Sequence, residues 1–72
     1  MTDEKKLELI AEVLDVEPDE ITPDMKLEDL EWDSIAALSF IAMMDEEFEK
    51  EIKGAEIKTF VTVQDAMNVM EA

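Results

Sequence analysis

The chain contains no cysteine and no histidine. The first absence excludes disulfides and thiol nucleophiles, and the two together remove the usual zinc ligands and the commonest general base. Redox compartment is therefore not legible from cysteine usage. Carboxylates, Lys, Ser and Thr remain, a sparse kit for a 72-residue enzyme. Basic residues are scarce too, six against 21 acids, for a formal charge of −15. Phosphate backbones and anionic membranes repel such a surface, so nucleic acid and lipid surfaces are excluded as partners. Partners presenting Lys and Arg are expected instead, although much of the charge needs no explanation beyond solubility. Long hydrophobic runs are also missing. None approaches the ~20 residues of a membrane span, and no basic-then-apolar leader opens the sequence. The expectation is a soluble, cytoplasmic monomer.

What is present is a chain nearly half apolar, too rich for a disordered acidic tail. Residues 1–72 are expected to form a single domain with one core. At this length only about 60–65% of the extended-chain surface is buried, so the stability margin is thin.

Leu7, Ile10, Ala11 and Leu14, with Val13 alongside, follow the spacing of one helical face. They predict a helix over Asp3–Leu14 that Thr2 or Asp3 caps. From Asp15 to Asp33 the pattern breaks into a long loop holding both prolines, Pro18 and Pro23. Isolated apolar residues (Val16, Ile21, Met25, Leu27, Leu30) are expected to pin it, with a short helical turn after Pro23. The second helix is predicted from Ser34 to about Glu49, with Ala37, Ile41, Met44 and Phe48 as its buried stripe. Ile35, Leu38, Phe40, Ala42 and Met43 widen the apolar surface beyond one stripe, so the helix is either surrounded by neighbours or exposes part of that surface to a partner. Gly54, the only glycine, fits a turn or helix stop. One or two helical turns over Glu56–Phe60 follow. Thr62 then caps a last helix, Val63–Met70, lined by Val63, Ala66, Met67 and Met70. The fold class is all-α, a small four-helix bundle with three main helices, one short one, and a long loop between the first and second.

The stretch "LEWDSIAAL" places a lone serine at the start of the second helix. Asp33 and Ser34 are both favoured N-caps, and as two isolated letters they need nothing beyond capping. Context adds a second reading. A helix start concentrates unpaired N–H groups and the positive end of the macrodipole, so a phosphate linked to Ser34 is electrostatically favoured there.

These residues carry a family resemblance. Asp33-Ser34-Ile35 at a second helix start resembles the Asp-Ser-Leu hallmark of acyl carrier proteins. "DEEFEKEI" (Asp45 to Ile52) is similar to the end of that family's second helix, and "FVTVQDA" (Phe60 to Ala66) to the start of its last. The opening "KLELIAEVLDVEPDEITPDMKLEDL" is similar to its first helix and long loop, so the resemblance spans essentially the whole chain. There are departures. Glu31, followed by Trp32, stands where carriers of fatty acid synthesis commonly have glycine, and Ala36 and Ser39 stand where they often carry partner-docking acids. These point away from housekeeping fatty acid synthesis and toward a carrier of a dedicated pathway.

The resemblance implies a carrier without catalytic activity of its own. A phosphopantetheinyl transferase would join 4′-phosphopantetheine from coenzyme A to the Ser34 hydroxyl, and the arm's thiol would hold acyl groups as thioesters. Asp33 would help orient magnesium and the transferase. Acyl- or aminoacyl-loading ligases and ketosynthase- or acyltransferase-type enzymes with basic docking patches are the implied partners. Ile35 and Leu38 are candidate anchors for them, with Glu31 and Asp45 steering basic patches, unless these acids are simply solvated. Trp32 is either a staple beside the helix start or a contact for the arm. Met43, Met44, Met67 and Met70 are read as core, adaptable enough to yield space to an acyl chain. No metal site is expected, because "DEEFEKE" lacks the ordered spacing and glycine of a calcium loop.

Other readings stay open on the residues alone. The load is acyl, from a fatty acid-like, polyketide or other dedicated pathway, or else an aminoacyl or D-alanyl group from an adenylating ligase. A non-carrying acidic docking module is a further alternative. A free-standing carboxylate enzyme is the weakest, since no pair of acids stands out.

Overall fold

A computed structural model describes residues 2–70 as helices α1 (Asp3–Leu14), α2 (Ser34–Phe48), α3 (Gly54–Ile57) and α4 (Val63–Asn68). Two 3₁₀ turns, Pro18–Glu20 and Leu27–Leu30, lie in the connection between α1 and α2. Among the described residues there is no strand, only a one-residue antiparallel bridge between Lys26 and Thr62. The architecture is the expected small all-α bundle.

α1 has the predicted bounds and cap. The Thr2 hydroxyl accepts the Lys5 N–H at 3.2 Å, satisfying one donor that the first turn leaves without a carbonyl. The helix ends where Asp15 turns left-handed (φ 58°) and the Val16 N–H reaches back to the Ala11 carbonyl at 2.9 Å. Its buried face is rotated from the expected one. Leu9, Ile10 and Ala11 are buried, and Leu7, Val13 and Leu14 only partly so. Leu9 takes the place expected of Leu7.

α2 also departs from the expected stripe. Ala36, Phe40 and Met44 form its buried line, while Ala37, Ile41 and Phe48 flank it half-buried. Both lines satisfy helical periodicity, and packing against α1 in the shared core selects the one that buries Phe40. Phe40 meets Trp32 edge-on at 5.7 Å on one side and Phe60 edge-on at 5.8 Å on the other. Such pairs add about 0.5–1.5 kcal/mol beyond the area they bury.

Gly54 is a correction. It opens α3 instead of stopping a helix, and its φ is not positive. Among the described residues, the left-handed positions belong to three acids, Asp15, Glu31 and Glu49. Proline is a second correction. Pro18, not Pro23, takes the first helical position, in the turn Pro18–Glu20, while Pro23 lies in a turn closed by the Met25 N–H on the Thr22 carbonyl at 3.2 Å.

α4 stops at Asn68, two residues short of expectation, with Val69 as its cap; Val63, Ala66, Met67 and Met70 are all buried as expected. Of the four methionines read as core, Met44, Met67 and Met70 are fully buried and Met43 is half-buried. Among the described residues, no helix is long and apolar enough to cross a membrane.

Candidate functional site

The long connection is ordered by α4. The N–H groups of Val63 and Gln64, the first two of α4, donate to the carbonyls of Met25 (2.9 Å) and Pro23 (2.8 Å), and Leu27 donates to Val61 (2.9 Å). The connection thus supplies acceptors that a helix start needs and is fixed by doing so. Asp65 holds the other side. Its carboxylate accepts the N–H groups of Val61 (2.8 Å) and Thr62 (3.1 Å), while the Thr62 hydroxyl accepts the Asp65 N–H at 3.4 Å, a reciprocal cap. Those backbone donors, joined by the Thr62 hydroxyl, hold the Asp65 carboxyl below the ordinary carboxylate range despite slight desolvation.

From this anchor the chain enters the turn Leu27–Leu30, whose Leu27 is buried, and reverses at Glu31 (φ 57°, ψ 42°). Glu31 is the position where the resemblance expects glycine. The conformation explains that preference, because the left-handed region costs a residue with a Cβ about 1–2 kcal/mol.

Trp32 then packs inward on Phe40, which ties the approach to the helix start into the core. Its partner lies further along α2 than the first-turn contact of an ordinary staple. Asp33, extended at φ −105° and ψ −172°, is the N-cap. Its Oδ1 accepts the Ala36 N–H at 2.9 Å and its carbonyl accepts the Ala37 N–H at 3.0 Å.

Ser34 is therefore the first residue of α2, not its cap. Its side chain is exposed. The capping explanation of the Asp-Ser pair is used up by Asp33, leaving the Ser34 hydroxyl at the surface. The first N–H groups of α2, including those of Ser34 and Ile35, have no carbonyl one turn back within the helix, and the dipole there favours an anion. A phosphate ester on Ser34 fits this environment in access and in electrostatics.

Ile35 and Leu38 are 73% and 67% exposed, unusual for large apolar side chains, and helical spacing sets both beside Ser34. Asp45 is exposed on the same side, about three turns along, and Glu31 is exposed just before the helix. Trp32 is half-buried, its ring packed edge-on against Phe40. Ala36, where the resemblance expects a docking acid, is buried, and Ser39 is exposed. Among the described residues, no three Asp or Glu are grouped closely enough to hold a metal ion.

Sequence reasoning missed Asp65 and the carbonyls of Pro23 and Met25. The Thr62-Val63-Gln64-Asp65 spacing is a readable capping signature, whereas the carbonyl contacts are backbone bonds that leave no mark on residue type.

A family described as "Phosphopantetheine attachment site" matches residues 7–69. The chain is 35% identical over 65 residues to the acyl carrier protein of Sulfurovum sp. (strain NBC37-1), an alignment covering 89% of this chain and 87% of the relative. It is 35% identical over 66 residues to that of Thermosynechococcus vestitus (strain NIES-2133 / IAM M-273 / BP-1), covering 90% and 82%. With the acyl carrier protein of Campylobacter concisus (strain 13826) it shares 32% identity over 65 residues, covering 89% and 84%. Members of this family carry 4′-phosphopantetheine covalently, lack catalytic activity of their own, and meet phosphopantetheinyl transferase and acyl-handling enzymes. This chain belongs to the acyl carrier protein family.

Proposed function

We propose that residues 1–72 act as one cytoplasmic carrier domain, with 4′-phosphopantetheine esterified to the Ser34 oxygen. The observation that supports this most is the exposed Ser34 hydroxyl, freed from capping by Asp33. The reaction balances simply. The Ser34 oxygen attacks the phosphorus of coenzyme A that carries the pantetheine, the pyrophosphate P–O bond breaks, and 3′,5′-ADP departs. The hydroxyl proton passes to a base of the transferase. Once attached, the group supplies a thiol to hold acyl intermediates. Asp33 fixes the helix start and, with its exposed side chain, offers charge to the transferase and its magnesium.

Enzymes of the acyl pathway meet a neutral apolar surface beside Ser34, built from Ile35 and Leu38, with Glu31 and Asp45 steering their basic patches. Glu31, Ala36 and Ser39 favour a dedicated biosynthetic pathway over housekeeping fatty acid synthesis. Fragmentation mass spectrometry of protein purified from its own cells tests this reading and identifies the load. A phosphopantetheine-bearing peptide spanning Ser34 is expected, with an acyl group on part of the population. Protein that carries the group on another residue, or never carries it, defeats the reading.

A further inference from the structure

The part of the core nearest Ser34 is aromatic. Trp32, Phe40 and Phe60 meet edge-on in a row, with Phe40 wholly buried in the middle and the outer two half-buried. Phe40 stands six residues beyond Ser34, about 9 Å along α2 and about 120° around it. The adaptable methionines lie further in. Met44 follows Phe40 by one turn on the buried line, and it shares its cluster with Met67 and Met70.

Backbone contacts hold both outer rings in place. Trp32 is confined between the turn Leu27–Leu30 and the cap residue Asp33. The Phe60 N–H donates to the Ile57 carbonyl at 3.0 Å. Its neighbour Val61 accepts the Leu27 N–H at 2.9 Å and donates to the Asp65 carboxylate at 2.8 Å. A ring that turns about two side-chain bonds, on a backbone so fixed, yields less readily than a methionine with three.

We propose, resting on the reading that Ser34 carries the arm, that these rings wall off the interior from the load, with Trp32 as the residue that decides it. The load is then a short or polar acyl group. A long alkyl chain kept outside would leave its methylenes in water, each at roughly a factor of four in equilibrium. A short or polar group loses little by staying there.

The test loads the apo full chain from acetyl- and octanoyl-coenzyme A with a broad-specificity transferase, and intact mass checks the loading. Trp32 is the only tryptophan, so its fluorescence reports on the wall directly. In the wild type the two loads should give the same Trp32 emission, the same Tm and the same Met44 and Met67 methyl shifts. Trp32→Ala opens the wall, so octanoyl, unlike acetyl, should move both methyls and raise Tm. Trp32→Leu, a milder truncation, serves the same purpose if circular dichroism shows Trp32→Ala unfolded. Octanoyl that moves the Met44 and Met67 methyls in the wild type would overturn the proposal. So would octanoyl that moves Leu9 and Val13, which line a groove between α1 and α2. Folded Trp32 variants that still respond alike to both loads would show that the ring is not what closes the interior, and would overturn it too. A wild type that gains no mass overturns the Ser34 reading and this proposal together, whereas the other contrary results overturn this one alone.

Discussion

Asp33 accepts the Ala36 N–H at 2.9 Å, so the residue before the serine caps α2 and the serine itself is spared. Asp33→Ala should cost about 1 kcal/mol, the usual value of a lost N-cap, and lower Tm by about 4–8 °C. Asp33→Asn should retain most of that stability, because the amide oxygen still accepts. Ser34→Ala should leave the unfolding free energy within about 0.5 kcal/mol of wild type. Urea titration of the three variants measures this. A Ser34→Ala loss equal to that of Asp33→Ala would return the capping role to the serine.

Glu31 occupies the left-handed region at φ 57°. Glu31→Gly removes about 1–2 kcal/mol of steric cost and gives back about 0.5–1 through the freer unfolded chain, for a net gain near 0.5–1 kcal/mol. Glu31→Ala keeps the Cβ and should show no comparable gain. Thermal melts at high salt isolate the backbone effect from the lost charge.

Asp65 gives a pH signature. Its carboxyl titrates below the ordinary range when folded, because the Val61 and Thr62 N–H groups donate to the carboxylate. On acidification the unfolded chain takes up this proton first. The contribution is therefore present in full above the unfolded value, about 3.9, and is lost as the pH falls through the lower folded value. Asp65→Asn should be less stable than wild type at pH 7, and the gap should close below about pH 4. A gap that persists unchanged at pH 3 would show that the charge is not what Val61 and Thr62 respond to.

The excess of 15 negative charges on so small a body opposes folding by self-repulsion. The exposed Lys5–Glu8 pair offsets little of it. Added sodium chloride, and millimolar magnesium more effectively, should raise Tm by about 4–8 °C for each ~1 kcal/mol of repulsion screened. A Tm flat from low to moderate ionic strength would contradict this.

The bounds of α1, the caps at Thr2 and Thr62 and the start of α2 were legible because each is a local signal, a capping residue followed by helical periodicity. The buried line of α2 was not. Its apolar residues surround most of the helix, so periodicity admits both Ala37-Ile41-Met44 and Ala36-Phe40-Met44, and only neighbours decide. Gly54 misled because glycine marks left-handed stops by preference, yet here Asp15, Glu31 and Glu49 take those positions. At the site, Ser34 was legible from its place at a helix start. Its release from capping was not, since Asp33 and Ser34 are equally suited to the role by residue type.

The attachment chemistry is tested most directly by intact mass of the apo-protein incubated with coenzyme A, magnesium and a broad-specificity phosphopantetheinyl transferase. The wild type should gain one phosphopantetheine group, and folded Ser34→Ala should gain none. A wild-type mass unchanged with several transferases, or a gain that survives Ser34→Ala, would contradict the account.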